Sequence, residues 1–204
     1  MDPRDIFEVN QAIASLWALW FVSWIAAGVW SARTVKTTRP GERTVDRLLS
    51  IAGAIMVISP RAPFGTGELA EILYSPGAVL AWFLVALVAC GFAFCWWARI
   101  HLGRMWSATI TLKEEHRIID TGPYALVRHP IYSGLLLSAW ATAGVHGNTM
   151  GFLGAALMTL GIYLKARREE QLLITELGAA YESYLDSVPM LFPFSTGAAP
   201  REKK

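Results

Sequence analysis

HPIYSGLLLSAWATAGVHGNTMGFLGAALMTLGIYL, residues 129–164, carries no formal charge and has a turn composition, His-Gly-Asn, near its middle. A helix needs about 20 apolar residues to cross the hydrocarbon of a bilayer. The stretch is long enough for two short spans, which we place at 131–145 and 149–164. Two spans joined by so short a turn form a hairpin, so their outer ends return to the same face of the membrane.

Two further runs without charge, 9–32 and 72–98, are each long enough for one span. A shorter apolar run, 48–59, lies between Arg47 and Arg61, and its length also suits an interfacial segment. We interpret it as a fifth span whose flanking arginines reach the headgroups. Charged residues make up only 17% of the chain, against about 25% in soluble proteins. The sequence therefore predicts an all-α, polytopic membrane bundle of about five transmembrane helices.

The positive charges are distributed unevenly along the chain. All but two of the 18 Lys and Arg residues lie in three segments, 31–47, 99–128 and 165–204. The positive-inside rule places such segments in the cytoplasm, and five spans with the amino terminus outside satisfy it for all three. If 48–59 did not cross, the first basic segment would lie opposite the second. The net charge of +2 argues against a nucleic-acid partner, and we expect the basic segments to face membrane lipids.

We divide the chain at residue 98. Residues 1–98 hold the three amino-terminal spans, and residues 99–204 hold two spans and the longer polar segments. Beyond the last span, residues 170–185 have apolar side chains at helical spacing, which predicts a cytoplasmic amphipathic helix. This helix either covers a site at the membrane face or only packs there. An extended segment, 188–193, follows it.

Polar residues and turn formers concentrate before the fourth span. Thr121-Gly122-Pro123 predicts a turn. Pro130 suits the first turn of a helix, where its missing N–H is not needed, and it pushes His129 to an extended conformation. Arg128, His129 and Tyr132 are therefore expected to group at a helix entrance on the cytoplasmic side.

The fifth span ends in a second polar cluster. Because the last two spans form a hairpin, this cluster returns to the membrane edge that His129 occupies, and the two segments are expected to form one site. Each residue type also has a structural explanation, since basic residues anchor helix ends and a histidine before proline is often structural, so both interpretations stay open. The cluster consists of Lys165, Arg167, Arg168, Glu169 and Glu170.

Common catalytic motifs are missing from the sequence. It contains no Gly-rich phosphate loop, no Cys-x-x-Cys, no His-Glu-x-x-His and no nucleophile elbow. His101, His116 and His129 do not have the spacing of a helical metal site, and we expect no metal. Cys90 and Cys95 lie inside an apolar span and are predicted to be small packing residues.

The ordered motifs of the carboxyl-terminal half resemble one known family. GPYALVRHPIYSG at 122–134 is followed by Glu169-Glu170 and then by Gly178, Tyr181, Tyr184 and Val188-Pro189. This pattern, together with Leu-Gly-x-x-Trp-Ser at 102–107, resembles the isoprenylcysteine carboxyl methyltransferase family and is similar to phospholipid N-methyltransferases. The resemblance covers about residues 99–193 and does not extend to the first two spans.

The resemblance implies a membrane methyltransferase that uses S-adenosyl-L-methionine and a lipophilic small-molecule or lipid-attached substrate entering from the bilayer. The catalytic candidates are Arg128 and Lys165. Lys165 stands where prenylcysteine enzymes have an arginine expected to hold the substrate carboxylate, and lysine lacks the bidentate fork. Arg167 or Arg168 would compensate. The implied cofactor contacts are His116, Arg117, Ile118, Ile119, Tyr124, His129, Pro130, Ile131, Tyr132, Glu169 and Glu170.

Two other functions remain open on the sequence alone. An NADPH-dependent membrane reductase of the sterol reductase type would need cations for a nucleotide phosphate, and Arg128, Arg167 and Arg168 are available. A non-enzymatic membrane carrier is the third possibility. Carboxylate, amine and thiol acceptors are all compatible with the sequence.

Overall fold

The computed structural model describes residues 1–28, 34–37, 44–59, 71–103, 111–113 and 118–193. Helices dominate this part of the chain. Two short strands, β1 and β2, pair antiparallel, and the all-α prediction omitted them because such short strands show no usable alternation. The elements in chain order are α1 (Pro3–Ala27), β1 (Thr34–Thr37), α2 (Thr44–Ile58), α3 (Ala78–Leu102), β2 (Thr111–Lys113), α4 (Pro123–Leu126), α5 (Pro130–His146), α6 (Thr149–Leu177) and α7 (Ala179–Ser187).

Three of the described helices, α1, α3 and α6, are long and apolar enough to cross a bilayer, and the chain is an integral membrane protein. The other two predicted spans correspond to α2, with 15 residues, and α5, with 17 residues. At 1.5 Å per residue they reach about 22 and about 25 Å, less than the roughly 30 Å of hydrocarbon. The count of five spans therefore stays a prediction.

Small residues set the distance between paired helices. Gly91 of α3 and Gly134 of α5 face each other so closely that a Cβ at either position would meet the other glycine's carbonyl oxygen. On α6, a Cβ at Gly161 would lie 2.7 Å from the Asp46 carbonyl oxygen of α2. Close backbone approach of this kind drives helix association where lipid removes the hydrophobic force. The paired helices are antiparallel: α3 to α5, and α2 to α6.

The cysteines of α3 are both free thiols. Cys95 is buried, and its Sγ lies 3.2 Å from the Ile131 carbonyl oxygen, to which it donates. A Cβ at Gly134 would lie 2.8 Å from this Sγ. For Cys95, the predicted role as a small packing residue is confirmed.

Some predicted boundaries are wrong. Helix α3 begins at Ala78 rather than at residue 72, because residues 71–77 instead bond the turn between α5 and α6, where Leu73 N donates to the Gly147 carbonyl at 2.8 Å. The amphipathic helix predicted at 170–185 is divided. Helix α6 continues to Leu177, and Gly178, at φ 56°, ends it before α7 begins.

Arg99 has a different environment from the one its basic segment indicated. Its side chain is fully buried near the end of α3, where it donates to the Gly103 carbonyl at 2.7 Å and to the Ala27 carbonyl at 3.0 Å. These carbonyls lie at the ends of α3 and α1, where backbone acceptors have no helical partner. Arg99 therefore joins two helix ends instead of facing lipid.

Candidate active site

The turn before the site forms as the sequence predicts. Gly122 adopts φ 58°, a conformation that favours glycine, and a Cβ there would lie 2.8 Å from the His101 ring. Pro123 then begins α4. The His101 Nε2 lies 2.9 Å from the Thr121 Oγ1, so this histidine braces the turn. His129, at the N-cap of α5, has φ −122° and ψ 63°, so it leaves the helical region before Pro130 but is not fully extended as predicted.

The entrance of α5 is held by a segment far along the chain. The backbone N–H of Arg128 donates to the Pro189 carbonyl at 2.8 Å, and that of His129 donates to the Met190 carbonyl at 3.1 Å. The Arg128 guanidinium also donates to the Val188 carbonyl. We call residues 188–191 the carboxyl-terminal strap. It fixes both the backbone and the arginine side chain at the mouth of α5.

Glu170 is the centre of a buried ion cluster. Its Oε1 accepts a hydrogen bond from Arg128 Nε at 2.7 Å and lies 3.2 Å from His129 Nε2. The Glu170 side chain is 6% exposed, so the charge is held away from water by two partners. Such a pair is stable only while its geometry is intact. Glu170 therefore holds Arg128 and His129 together through one carboxylate oxygen.

Glu169, the neighbouring carboxylate, has a different environment. Its Oε2 accepts from the Tyr132 hydroxyl at 2.9 Å and lies 4.0 Å from His129 Nδ1, and its side chain is 32% exposed. The rings of His129 and Tyr132 stack with centroids 5.4 Å apart. One stacked pair therefore contacts both carboxylates, and only Glu169 keeps an accessible negative charge.

Lys165 lies one turn of α6 before Glu169. Its Nζ lies over the Tyr132 ring, 5.1 Å from the ring centre, at the distance of a cation–π contact. Arg168 points to α2 instead, where its Nη1 lies 2.7 Å from the Asp46 Oδ1. Asp46 is buried, 4% exposed. Arg167 is exposed.

A cavity of about 310 Å³ lies between α1, α2, α5 and α6. Its wall is mainly apolar and includes Trp17, Trp20 and Phe21 of α1. Tyr132 and Lys165 belong to the same wall. Because the Tyr132 hydroxyl bonds Glu169, the cavity and the polar cluster share one side chain.

The remaining predicted residues contribute to the surroundings. The Tyr184 hydroxyl donates to the Tyr124 carbonyl at 2.6 Å. Burial raises the pKa of Tyr184, so this donor keeps its proton at neutral pH. Ile118 packs on a small apolar cluster that includes Tyr184, and Ile119 is half-buried. His116 and Arg117 lie outside the described residues.

The sequence predicted that Arg128, His129 and Tyr132 lie near Glu169 and Glu170. The structure places these five side chains together. The sequence did not identify Asp46, because a single acidic residue in a basic segment gives no sign of a distant partner. It also missed the strap, whose contribution is made by backbone carbonyls. The sequence did not indicate that aromatic residues of α1 line a cavity, since tryptophans in spans are commonly interfacial or packing residues.

Comparison with known proteins adds a family match. The model of the isoprenylcysteine carboxyl methyltransferase family matches residues 84–175, just under half of the chain. The chain is 43% identical over 70 residues to a methanethiol S-methyltransferase from a Pseudomonas species, which is 34% of this chain and 26% of that protein. The chain thus spans about a quarter of this relative's length.

Relatives with another acceptor in their names align over longer stretches. Protein-S-isoprenylcysteine O-methyltransferase B of Arabidopsis thaliana is 27% identical over 133 residues, 62% of this chain and 68% of that protein. The protein-S-isoprenylcysteine O-methyltransferase of Schizosaccharomyces pombe is 30% identical over 99 residues, 47% of this chain and 42% of that protein. The names share methyl transfer and differ in the acceptor.

Proposed function

We propose that the protein is an S-adenosylmethionine-dependent methyltransferase of the membrane that acts on a lipophilic or lipid-attached acceptor, because the model of the isoprenylcysteine carboxyl methyltransferase family matches residues 84–175. The observation that carries the proposal is the position of Tyr132. This side chain bonds the accessible carboxylate of Glu169 and also lines the apolar cavity. A polar site for a charged methyl donor thus adjoins an apolar site for an acceptor.

The polar groups present fit the methyl donor. Glu169 offers a partly exposed carboxylate for an ammonium group. The N-cap of α5 makes no side-chain capping bond, so the first-turn N–H groups of Ile131 and Tyr132 suit a carboxylate. When bound, S-adenosylmethionine would supply a methyl group on a sulfonium, with a neutral thioether as the leaving group.

The chain's own residues act in this proposal by positioning. Glu170 holds Arg128 and His129 in place, and the stacked His129 and Tyr132 rings keep the Glu169 carboxylate oriented. Fixed geometry of this kind supplies much of the rate of a direct displacement. Lys165, above the Tyr132 ring, is the candidate for contact with an acceptor anion.

Orientation in the membrane is part of the proposal. The charge distribution supports five spans with the amino terminus outside, and it puts the polar cluster at the cytoplasmic edge, where a soluble methyl donor is available. The cavity draws its wall from both sides of the division at residue 98. The two parts would therefore function together.

The structure gives less support to the reductase alternative. Arg128 is bound to Glu170 and Arg168 to Asp46, so two of the three arginines expected to hold a nucleotide phosphate already have carboxylate partners. No contact in the described residues favours the carrier alternative.

Titration of S-adenosylmethionine into the protein in lipid nanodiscs tests the proposal. We expect saturable binding that Glu169→Gln weakens about tenfold or more, because a charged hydrogen bond contributes about 1.5–3 kcal/mol. Glu182→Gln, at an exposed position of α7, is the matched control and should bind normally. Absence of saturable binding, or tighter binding of NADPH by the wild-type protein, would reject the methyltransferase proposal.

A further inference from the structure

The cavity extends along the helices that surround it. At one end its wall contains Tyr132, whose hydroxyl reaches the polar cluster, and Trp17 of α1 belongs to the wall at the other end. The Trp17 Nε1 donates to the Thr142 Oγ1 at 3.1 Å, and Thr142 lies ten positions after Tyr132 on α5. At 1.5 Å per residue, the indole of Trp17 therefore lies about 15 Å beyond Tyr132 along this helix.

Packed core follows the cavity at its Trp17 end. Ile13, one turn further along α1, is 4% exposed and does not line the cavity. On α6, Met158 is the last wall residue in the same direction, and Ala155 beyond it is fully buried. On α2 the wall continues to Ile58, whose exposed side chain lies on the outer surface of the bundle. Between α1 and α6, the cavity is therefore closed at Trp17.

The indole of Trp17 is held in a fixed orientation. Its ring packs edge-on against Phe92, with centroids 4.9 Å apart. The Thr142 hydroxyl that accepts the indole N–H donates in turn to the Ser138 carbonyl at 2.7 Å, so its own proton is already engaged. Turning the ring away would leave a buried N–H without a partner, which is costly. The indole is therefore a rigid end to the cavity and does not give way to a longer ligand.

The dimensions of the cavity fit a single apolar chain. Its volume of about 310 Å³ lies at the lower end of the roughly 300–1,000 Å³ found for ligand pockets. An extended chain of single bonds advances about 1.2 Å per bond, as a polypeptide does with three bonds per residue. The distance of about 15 Å from Tyr132 to Trp17 therefore accommodates about 12 bonds. A chain longer than this would meet the indole.

We propose that Trp17 determines acceptor specificity by limiting the apolar chain of the acceptor to about 12 bonds. Thr142 is a positioning residue in this proposal, because it holds the indole across the end of the cavity. The inference rests on the proposed methyltransferase function, and it concerns the acceptor's chain and not its reacting group. Trp17 precedes the matched family region, which begins at residue 84.

A series of chain lengths tests the role of Trp17. In nanodiscs, an ω-brominated decanoate bound in the cavity quenches the tryptophans of the wall, of which Trp20 remains in every variant. Straight-chain carboxylates of about 8 to about 18 carbons then displace this probe, and they share one head group, so differences among them come from the chain. Expressed per competitor dissolved in the lipid, displacement from the wild-type protein should be constant up to about 12 carbons. It should be about tenfold weaker at about 16 carbons, because the longer chain overfills the cavity.

Trp17→Ala should remove this limit. The space then extends toward Ile13, one helical turn or about 6 Å further, which is room for about five more bonds. The 16-carbon competitor should therefore displace the probe as well as the 12-carbon competitor does. Trp17→Phe keeps an aromatic ring at the closed end and should give an intermediate value. Trp82→Ala is the matched control, because it removes an exposed tryptophan of α3 outside the cavity wall and should behave as wild type.

Each other outcome overturns the inference. A wild-type profile without a limit would mean that the cavity is not closed, and a limit that persists in Trp17→Ala would belong to another part of the wall. An equal change in Trp82→Ala would indicate a general loosening of the bundle. If Trp17→Ala does not fold, Thr142→Val decides, because releasing the indole should improve displacement by the 16-carbon chain about threefold. An unchanged profile in Thr142→Val would then reject the proposal.

Titration of S-adenosylmethionine into the same samples separates this inference from the proposed function. Retained donor binding with an unchanged chain-length limit in Trp17→Ala rejects only the role of Trp17. Absence of donor binding in the wild-type protein rejects the methyltransferase proposal and with it the inference that the chain belongs to a methyl acceptor.

Discussion

The two sides of Tyr132 differ in how they are built. On one side, Arg128, His129 and Glu170 form a compact ion cluster with short, direct hydrogen bonds. On the other, the cavity has an apolar wall with few charged groups at one end. The cluster residues lie inside the matched family region 84–175, whereas α1 and α2, which supply much of the cavity wall, precede it.

Because of this difference, similarity to known methyltransferases is informative about only one side of the site. Similarity over residues 84–175 concerns the side of the site that we assign to the methyl donor. The acceptor side depends on helices that the match does not cover, and the relatives' names differ in their acceptors, methanethiol in one group and isoprenylcysteine in another. The same donor site is therefore expected to serve different acceptors according to the helices placed against it.

The largest expected effect comes from removing the centre of the cluster. Glu170→Ala leaves Arg128 and His129 without their shared carboxylate in a buried setting, and we expect the free energy of unfolding to fall by about 3–5 kcal/mol. Thermal unfolding in detergent, followed by circular dichroism, measures this loss.

Glu169→Ala is the matched control for the Glu170 variant. Glu169 is adjacent to Glu170 in sequence and its carboxylate is partly exposed, so the free energy of unfolding should change by no more than about 1 kcal/mol while S-adenosylmethionine binding is lost. If both variants lost stability equally, the distinction between an organising and a binding carboxylate would be wrong.

A smaller effect is expected from filling the cavity. Ala54 is half-buried in the cavity wall, and Ala54→Leu places extra side-chain volume there without touching the ion cluster. We expect the apparent Kd of an ω-brominated decanoate, measured by quenching of the fluorescence of Trp17 and Trp20 in the cavity wall, to rise about tenfold, equivalent to about 1.4 kcal/mol, with S-adenosylmethionine binding unchanged. Loss of donor binding in this variant would show that the two sides of Tyr132 are not independent.

The smallest effect concerns Tyr184, which supports the polar side. Tyr184→Phe removes its hydrogen bond to the Tyr124 carbonyl and should cost about 1 kcal/mol of unfolding free energy at neutral pH. Burial raises the pKa of the Tyr184 hydroxyl above its ordinary value of 10.0. Its contribution is therefore complete below about pH 10 and is lost as the pH rises further. Denaturant unfolding at pH 8 and above pH 10 should show a smaller difference between wild type and variant at the higher pH.

The sequence was sufficient to predict the parts of the fold that depend on local composition. The charge-free run 129–164 predicted the hairpin of α5 and α6, and the turn at His146-Gly147-Asn148 lies where expected. Helix ends were harder to place. Residues 72–77 belong to the same charge-free run as α3, but Leu73 and Tyr74 donate backbone hydrogen bonds to the turn of the hairpin, a partner that no local pattern reveals.

The candidate site was predictable where polar residues are adjacent in sequence and one topological argument joins them. For that reason, the contacts of Arg128 and His129 with Glu170 could be predicted. The ion pair of Arg168 with Asp46 was not predictable, because Asp46 lies on α2, whose position against α6 depends on glycine contacts between the two helices. The cavity was also not predictable from the sequence, since it depends on the relative positions of four helices.

The carboxyl-terminal strap has a consequence for the order of biosynthesis. Val188 follows Arg128 by 60 residues, and Pro189 and Met190 accept the backbone bonds that fix the mouth of α5. During translation, α5 and α6 emerge and can insert into the membrane before the strap exists. The hydrogen bonds from the strap to the mouth of α5 can form only after residues 188–191 have left the ribosome, so this part of the site is completed after the hairpin of α5 and α6 has been made.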